Sequence, residues 1–330
     1  MRIGILGATG MLGHHAAVAA KARGHEVVVL ARSLDKLARL GELATTARHA
    51  DLDQVDTLVP ALAGLDGLIH AAGYYPGAPR PWQEDVERAL AQSRRLYDAC
   101  VAARVDKVLY VGGAIALPKR ADGVPADEAL DYPGRPAEPN PYVQVKWALD
   151  KLARDSAAAG QHVVIGIPAM TFGEHDHGPT TGRLLLDIAA GRLKAYLRGN
   201  RNVVYAGDAG RGLVMALEHG RGGERYFLTG ENLSMDALTA LISEVSGVAA
   251  PRAVPVGVAK TVARLSEWRW RLFGGELPTV SPTAIAVMTL GQFLDGGKAK
   301  RELGYEPEVT TREALIRALG WFREAGYLAA

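Results

Sequence analysis

The sequence predicts an α/β protein built on a doubly wound parallel β-sheet, followed by a smaller, mainly helical domain. In the first half of the chain, short apolar runs alternate with longer helical patterns. This alternation implies parallel strands that are joined by right-handed crossovers. Runs such as "VVVL" and "HVVIGI" are apolar on both faces, as strands covered by helices on two sides require.

Each predicted element rests on the spacing of its apolar residues. Short apolar runs predict strands at residues 2–6, 26–30, 46–50, 67–71, 107–111 and 162–167. Amphipathic patterns predict helices at residues 11–23, 34–40, 55–62, 83–104 and 142–159. After Pro168 helical patterns dominate, with short strands predicted at 203–205 and 225–228. We therefore expect a sheet domain over residues 1–168 and a smaller domain over 169–330, some segments of which can return to the sheet.

The composition narrows the class of protein. A hydrophobic content of 48% and a charged content of 22% over 330 residues are ordinary for a globular protein. The net charge of +2 gives no electrostatic reason to expect nucleic acid or an anionic membrane as a partner. Cys100 is the only cysteine, which excludes an internal disulfide and fits a reducing compartment. With no apolar run near the roughly 18 residues of a membrane span and no signal peptide, we expect a cytoplasmic protein.

A glycine-rich turn, "GATGMLG" at residues 7–13, separates the first strand from the first helix. Glycine permits the tight turn and lets the backbone approach a pyrophosphate, whose charge is stabilised by the helix N-terminus. In this position the motif predicts a dinucleotide-binding (Rossmann) domain. The residues expected to contact the cofactor here are Gly7, Thr9, Gly10, Met11, Leu12 and Gly13.

The end of the second strand indicates which dinucleotide binds. An acid there would bind the adenosine ribose hydroxyls and repel a 2′-phosphate, but the sequence reads Ala31-Arg32-Ser33. Arginine suits phosphate because its guanidinium is permanently charged and donates in a fork. The alternative is that Arg32 is only solvated and that Ser33 caps the next helix. We expect NADP, with NAD as the alternative.

Two further segments suit a bound nucleotide. Asp51 and Leu52 follow the third strand, where they can flank the adenine, although a helix-capping role for this acidic turn is equally open. Ala71, Ala72 and Gly73 end the fourth strand with three small residues, as close approach of a cofactor requires. Tight packing of helix on sheet would require the same residues.

A tyrosine and a lysine, Tyr142 and Lys146 in "YVQVK", lie one helical turn apart. Near the C-terminus stands "DGGKAKRELGYEP" at residues 295–307. Together with the glycine turn, these motifs resemble the extended short-chain dehydrogenase/reductase family, the branch with NAD(P)-dependent sugar epimerases, dehydratases and dihydroflavonol-type reductases. The resemblance covers essentially the whole chain.

The resemblance implies a role for each member of the pair. Tyr142 would be the general acid/base, and Lys146 would bond the nicotinamide ribose. A free tyrosine has a pKa near 10, so a lysine on the same helical face would favour the phenolate. Pro141 suits a helix start, which would seat Tyr142 at the positive end of the helix. The alternative is an ordinary helix face with unrelated side chains.

The resemblance also reveals a departure, because the family's serine or threonine after the fifth strand is missing. Gly112 and Gly113 stand at the aligned positions, and Ala89 falls near the place of an assisting asparagine. Loss of one such donor typically costs on the order of 10² to 10³ in rate. The glycines can also make room for a bulkier substrate. The hydroxyls that could take over are those of Tyr74, Tyr75 and Thr171.

The segment after the sixth strand resembles the family's substrate-closing region. Pro168, Met170 and Thr171 would lie near the nicotinamide, and Thr181 and Arg183 could reach a polar group of the substrate. The run "EHDH" at residues 174–177 has the side chains of a metal site, but a polar loop explains it as well, and we expect no metal.

Two surfaces remain to be interpreted. The aromatic run of Trp268, Trp270 and Phe273 predicts core packing with solvated arginines, or one wall of an apolar substrate pocket. Family members commonly pair the helices predicted at 83–104 and 142–159 across a two-fold axis, which makes a homodimer possible. The contact residues would be Leu90, Leu96, Ala148 and Leu152.

These observations favour an NADP-dependent oxidoreductase that reduces a carbonyl or oxidises the matching alcohol of a small molecule. The alternatives are a nucleotide-sugar epimerase or dehydratase, which would use the same cofactor, and a non-catalytic NADP-binding sensor or scaffold that has lost turnover with the serine.

Overall fold

The computed structural model describes residues 1–44, 46–76, 80–273, 285 and 288–328. Its strands are β1 (Arg2–Leu6), β2 (Glu26–Ala31), β3 (Ala47–His49), β4 (Gly67–His70), β5 (Lys107–Val111), β6 (Val163–Pro168), β7 (Met170–Phe172), β8 (Ala195–Leu197), β9 (Asn200–Tyr205), β10 (Arg225–Leu228), β11 (Glu231–Ser234) and β12 (Arg252–Val254). Its α-helices are α1 (Met11–Ala22), α2 (Leu58–Leu62), α3 (Trp82–Ala102), α4 (Pro141–Ala158), α5 (Gly182–Ala189), α6 (Ala206–His219), α7 (Met235–Ser246), α8 (Val256–Phe273), α9 (Gly297–Leu303) and α10 (Thr311–Glu324).

Seven parallel strands form the main sheet, in the order β10-β6-β5-β4-β1-β2-β3. Helices α2, α3 and α4 pack on one face, and α1, α6 and α9 pack on the other. The predicted doubly wound parallel sheet is therefore confirmed. The strand order reverses between β1 and β4, and in such sheets ligands bind in the crevice beyond the carboxyl ends of the strands at this point.

Residues after Pro168 contribute both to the sheet and to a second layer. Strand β10 pairs with β6 and completes the main sheet. Strands β7, β9 and β11 form a separate three-stranded sheet, which shares a core with α5, α7 and α10. The sequence did not predict four strands in this half: β7, β8, β11 and β12. Each has only three or four residues, which is too short to show a clear periodicity.

Other predicted elements change type or exposure. The segment predicted as a helix at 34–40 is a 3₁₀ helix over Leu34–Ala44, with a kink at Gly41. The first half of the helix predicted at 55–62 is also a 3₁₀ turn. Trp268 is 63% exposed, so its predicted core packing is wrong, and the side chain of Phe273 lies outside the described residues. No helix in the described ranges is long and apolar enough to cross a membrane.

A buried ion pair fixes the edge strand β10 to helix α4. Arg225 and Asp150 are 5% and 1% exposed at their side chains, and the Arg225 Nε donates to the Asp150 carboxylate over 2.9 Å. The same guanidinium donates to the carbonyl of Leu130 over 3.0 Å. Arg225 thus ties the long loop between β5 and α4 to both β10 and α4, and removal of Arg225 or Asp150 would leave a buried charge unpaired.

A cluster of histidines joins helix α1 to the second layer. The rings of His14 and His175 stack with centroids 3.7 Å apart, and His15 lies 3.8 Å from the carboxylate of Glu174. His177 packs edge-on against Trp321 of α10 at 5.0 Å. His175 holds a φ of +65°, a left-handed conformation that is costly for a residue with a side chain. Contacts on both sides of the cluster hold it there.

We expect this cluster to make stability fall in acid. Burial, with a smaller effect of the neighbouring histidines, lowers the pKa of His14 from 6.5 to about 3. Between these values the unfolded chain binds a proton that the folded chain does not, so the free energy of unfolding falls as the pH falls below 6.5. The loss for this residue is about 1.4 kcal/mol per pH unit, or about 2 kcal/mol at pH 5.

Urea unfolding at pH 7 and pH 5 measures this loss. His14→Gln should lose less stability than the wild type between the two pH values, whereas His49→Gln, which changes an exposed histidine at the end of β3, should behave as the wild type. An equal loss in all three proteins would contradict the assignment.

Candidate active site

Two of the three glycines between β1 and α1 are required by the protein's own packing. Gly7 has a φ of +96°, and a Cβ there would lie 2.7 Å from the backbone nitrogen of Ala72. A Cβ on Gly13 would lie 2.2 Å from the carbonyl oxygen of Gly7. The turn after β1 therefore presses against both its own helix and the end of β4.

The third glycine has a different environment. A Cβ on Gly10 would meet only the Gly7 oxygen, at an ordinary 3.5 Å, and its φ of −97° suits any residue. Gly10 is the N-cap of α1, so the first backbone N–H groups of the helix, from Met11 onward, have no partner within it. The N-terminus of α1 therefore combines open space with unpaired N–H groups, which can donate to the oxygens of a pyrophosphate. Thr9 stands half-buried in the same turn.

The structure places the other expected nucleotide contacts at the neighbouring strand ends. Arg32 is exposed just beyond β2, and no described carboxylate pairs with it. Ser33 directly precedes the 3₁₀ helix that begins at Leu34, and its hydroxyl donates to Asp35 over 3.3 Å. Asp51 is buried after β3 and accepts from the backbone of Asp53 over 3.0 Å, while Leu52 is half-buried beside it.

Small residues line the end of β4. The backbone atoms of Ala71 and Ala72 lie against Gly7, so close packing within the protein already requires glycine at position 7. A Cβ on Gly73 would lie 3.4 Å from the Nζ of Lys146. The end of β4 thus joins the glycine turn on one side to the lysine on the other.

Tyr142 and Lys146 lie on the first turns of α4. Pro141 is the first residue of this helix, and Asn140 is its N-cap, with a side-chain oxygen that accepts from the backbone N–H of Tyr142 over 2.9 Å. Asparagine and proline are among the strongest helix-start signals. The local sequence thereby places the tyrosine at the N-terminus of the helix and the lysine one turn further in.

Lys146 is enclosed by the ends of β4 and β5. Its Nζ lies 3.5 Å from the carbonyl oxygen of Val111 and 5.7 Å from the ring of Tyr110. Burial lowers the pKa of this lysine to about 8. The ammonium is therefore the main form at neutral pH, but it is held in an environment that supplies little compensation for its charge.

The electrostatics of Tyr142 differ from the sequence-based expectation. Burial raises its pKa well above 10, and the contact with Tyr75 adds to the effect. The Lys146 Nζ stands 6.0 Å from the centre of the Tyr142 ring, and burial outweighs its attraction for a phenolate. In the protein alone, Tyr142 is a protonated phenol, which is a proton donor rather than a base.

The two glycines after β5 face different surroundings. A Cβ on Gly112 would lie 3.0 Å from Ile165, inside the sheet core. A Cβ on Gly113 would lie 3.6 Å from the Cδ and Cε of Lys146, an ordinary contact, and its φ of −161° is extended backbone that any residue adopts. Gly113 is therefore the position where a serine would face the site. Ala89 is buried in α3 and offers no polar group.

The three candidate replacement hydroxyls make different hydrogen bonds. That of Tyr74 donates to the buried Asp85 over 2.7 Å, and that of Thr171 donates to the Ala169 carbonyl over 2.8 Å. Tyr75 alone contacts the expected catalytic tyrosine. Its ring centroid lies 4.8 Å from that of Tyr142.

The residues expected to bind substrate are spread over a wider area. Pro168 ends β6, and Met170 begins β7 half-buried against the second layer. Thr181 is half-buried at the start of α5. Arg183, by contrast, is mostly exposed and pairs with Asp187 one turn along α5 over 3.0 Å. The structure does not bring Arg183 to the pair on α4.

The run at 174–177 contributes to packing. Asp176 accepts from the backbone N–H of Gly182 over 3.2 Å, and the carboxylate of Glu174 accepts from Tyr205 over 3.0 Å. Stacked rings such as those of His14 and His175 direct their nitrogens sideways, which does not converge on one ion. Within the described residues, no group of three or more histidine, cysteine or carboxylate side chains is arranged to hold a metal.

Sequence reasoning missed a histidine beside the lysine. His70, the last residue of β4, is fully buried, and burial with the nearby Lys146 charge lowers its pKa to about 4. Its Nδ1 has no hydrogen-bond partner in the described structure. The signal was available, because a lone polar residue stands in an apolar strand directly before "AAG".

Comparisons with known proteins agree with this architecture. The model of the NAD dependent epimerase/dehydratase family matches residues 3–228. The crystal structure of a nucleoside-diphosphate-sugar epimerase from Pseudomonas aeruginosa is 43% identical, with a TM-score of 0.88 and coverage of 99% of both chains.

Two curated relatives carry reductase names. A putative dihydroflavonol 4-reductase from Synechocystis is 28% identical, over 98% of this chain and 95% of its own. A 4-hydroxy-2-methyl-3-oxo-4-farnesyl-3,4-dihydroquinoline-1-oxide ketoreductase from Stigmatella aurantiaca is 29% identical, over 96% of this chain and 95% of its own. The family expected from the motifs is confirmed: the chain is an enzyme of the NAD-dependent epimerase/dehydratase family.

Proposed function

We propose that this enzyme is an NADP-dependent oxidoreductase that reduces a carbonyl group, or oxidises the matching alcohol, of a small molecule. The observation that carries the proposal is the pair of a half-buried Tyr142 and a buried Lys146 at the N-terminus of α4, beside the crevice where the sheet order reverses. Residues 1–168 supply most of the cofactor surface in this proposal, and the layer after 168 supplies most of the substrate surface.

The protonation state of the pair favours the reductive direction. A bound nicotinamide would supply the hydride to the substrate carbon. The carbonyl oxygen would then need a proton, and Tyr142 carries one because burial raises its pKa. Once the proton has left, the ammonium of Lys146 stabilises the phenolate, and that ammonium is present below about pH 8.

The arrangement of Gly10 and Arg32 supports NADP. Gly10 leaves space at the N-terminus of α1, where a pyrophosphate would be stabilised. Beyond β2, Ala31 provides no carboxylate to repel a 2′-phosphate, and Arg32 offers an exposed guanidinium. The family description names NAD, which shares every one of these contacts except that of the 2′-phosphate.

A nucleotide-sugar epimerase is the second candidate, and one feature favours it. Arg201 donates to the carbonyls of Asn200 and Met288 over 2.7 and 2.6 Å, and no described carboxylate pairs with it. Burial lowers its pKa to about 10, the signature of an uncompensated cation. A diphosphate would compensate that charge. The Pseudomonas relative is named as an epimerase, whereas both curated relatives are named as reductases.

The non-catalytic alternative, motivated by the absence of the serine, does not fit a chain that belongs to a family of enzymes. Against it stands the buried lysine, because a scaffold gains nothing from holding a desolvated ammonium below a tyrosine. We therefore rank the two enzymatic functions first.

We also propose a homodimer in the cytoplasm. Of the four residues expected at the dimer contact, Leu96 and Ala148 are buried in the chain's own core, which corrects that assignment, whereas Leu90 and Leu152 are partly exposed on the outer sides of α3 and α4. The single cysteine, Cys100, is buried and free, which suits a reducing compartment. The mass by light scattering at micromolar concentration tests the dimer.

Tyr142→Phe should abolish turnover and leave the dissociation constant of NADPH nearly unchanged, since it removes only the proton donor. The measurement is NADPH oxidation against a panel of aldehydes, ketones and keto sugars, with fluorescence titration of NADPH. Tyr132→Phe is the matched control. Asp131, the residue before Tyr132, pairs with Arg154 of α4. Arg154 lies twelve residues after Tyr142 on this helix, which is about 18 Å along the helix axis. If Tyr142→Phe turned over substrate as fast as the wild type, the assignment of Tyr142 as the proton donor would be wrong.

Arg32→Ala should weaken NADPH binding about tenfold or more and leave NADH binding unchanged, because it removes a charge-assisted contact to the 2′-phosphate. Arg183→Ala, which changes an exposed arginine on α5, is the control. If the wild type bound NADPH and NADH equally tightly, and Arg32→Ala changed neither affinity, the predicted preference for NADP would be wrong.

A further inference from the structure

We propose that the hydroxyl of Tyr75 is the second hydrogen-bond donor to the substrate oxygen, in the role that a serine at position 113 would have. The inference rests on the proposed oxidoreductase function and assigns one more catalytic residue to it. It starts from the contact between two phenols whose rings lie 4.8 Å apart, one of which is the expected proton donor.

The other candidate hydroxyls are held elsewhere. Tyr74 donates to Asp85, whose side chain is 1% exposed, so that breaking this bond would leave a buried carboxylate with one partner fewer. Thr171 donates to a backbone carbonyl of its own turn. Neither group can move to a substrate without loss of a good hydrogen bond.

Tyr75 has the opposite disposition. Its ring contacts that of Tyr142, and among the described residues no carbonyl or carboxylate oxygen accepts the proton of its hydroxyl. The residue is 59% exposed, so it forms the solvent side of the site and can be reached by a substrate.

The glycine at 113 explains why the donor would come from this side. With no side chain there, position 113 offers no hydroxyl beside the Cδ and Cε of Lys146. Tyr75 follows β4 and Gly113 follows β5, and these strands are neighbours in the sheet. The carboxyl ends of both strands therefore border the same crevice, and a donor lost from one can be replaced from the other.

The reaction balances without a further reagent. Bound NADPH would supply a hydride to the carbonyl carbon: the nicotinamide C–H bond would break as the new C–H bond forms, NADPH would be oxidised to NADP⁺, and the π electrons of the carbonyl would move onto its oxygen. That oxygen takes the proton of Tyr142, which becomes a phenolate and is later reprotonated by water. Tyr75 keeps its proton throughout and donates a hydrogen bond to the oxygen as negative charge develops on it.

Tyr75→Phe tests the proposal, because it keeps the ring and removes only the donor. With the fastest ketone of the panel, kcat should fall on the order of 10²-fold to 10³-fold, while the dissociation constant of NADPH stays within twofold. Tyr132→Phe should keep the wild-type kcat. The exposed position of Tyr75 makes a folding defect in the variant improbable, and the thermal unfolding midpoint checks it.

A second variant tests whether the missing serine is what Tyr75 replaces. There is room for a side chain at position 113, so the double variant Tyr75→Phe/Gly113→Ser should regain at least tenfold of the lost kcat. Tyr75→Phe with kcat within threefold of the wild type, or a double variant no faster than Tyr75→Phe, would overturn the role of Tyr75 alone. Two outcomes would overturn both the proposed function and this inference. In the first, Tyr142→Phe turns over substrate as fast as the wild type; in the second, the wild type turns over no member of the panel.

Discussion

The close packing of two backbone turns is the constraint on which the site depends. Gly7 follows β1 and presses against Ala71 and Ala72 at the end of β4, and Gly13 presses the first helix against Gly7. Any side chain at Gly7 or Gly13 would overlap backbone atoms, which cannot move aside as a flexible side chain can. This packing fixes the N-terminus of α1 beside the point where the strand order reverses. The crevice, the lysine behind it and the exposed arginine beyond β2 are all arranged around that point.

Burial, rather than charge attraction, sets the protonation states in this crevice. It raises the pKa of Tyr142, lowers that of Lys146 to about 8, and lowers that of His70 to about 4. Beside one ammonium, Tyr142 therefore keeps its proton and His70 stays neutral, so neither side chain readily accepts a proton.

Local sequence patterns were enough to predict the central architecture. The apolar runs of β1 to β6, the glycine turn and the placement of Tyr142 one turn before Lys146 all depend on residues that are near in the chain. What could not be predicted depends on contacts between distant segments. Tyr75 meets Tyr142 across 67 positions, and Arg225 meets Asp150 across 75. No periodicity signals such a contact, because each partner alone is an ordinary polar residue.

The dimer contact illustrates the same limit. Leu96 and Ala148 lie on amphipathic helices, and their apolar character predicts burial without saying against what. The structure shows that the chain's own sheet covers both. Conversely, the short strands of the second layer carry almost no pattern of their own, and β10 joins the main sheet only because the chain returns to pair with β6.

We expect one crevice to hold the dinucleotide and to align it with Tyr142. A crystal structure of the complex with NADPH measures this directly. In that complex we expect the pyrophosphate at the N-terminus of α1 before Gly10, the 2′-phosphate on Arg32, and the nicotinamide ring between Gly113 and the hydroxyl of Tyr142. A dinucleotide bound elsewhere, or a nicotinamide that Tyr142 and Lys146 cannot reach, would contradict it.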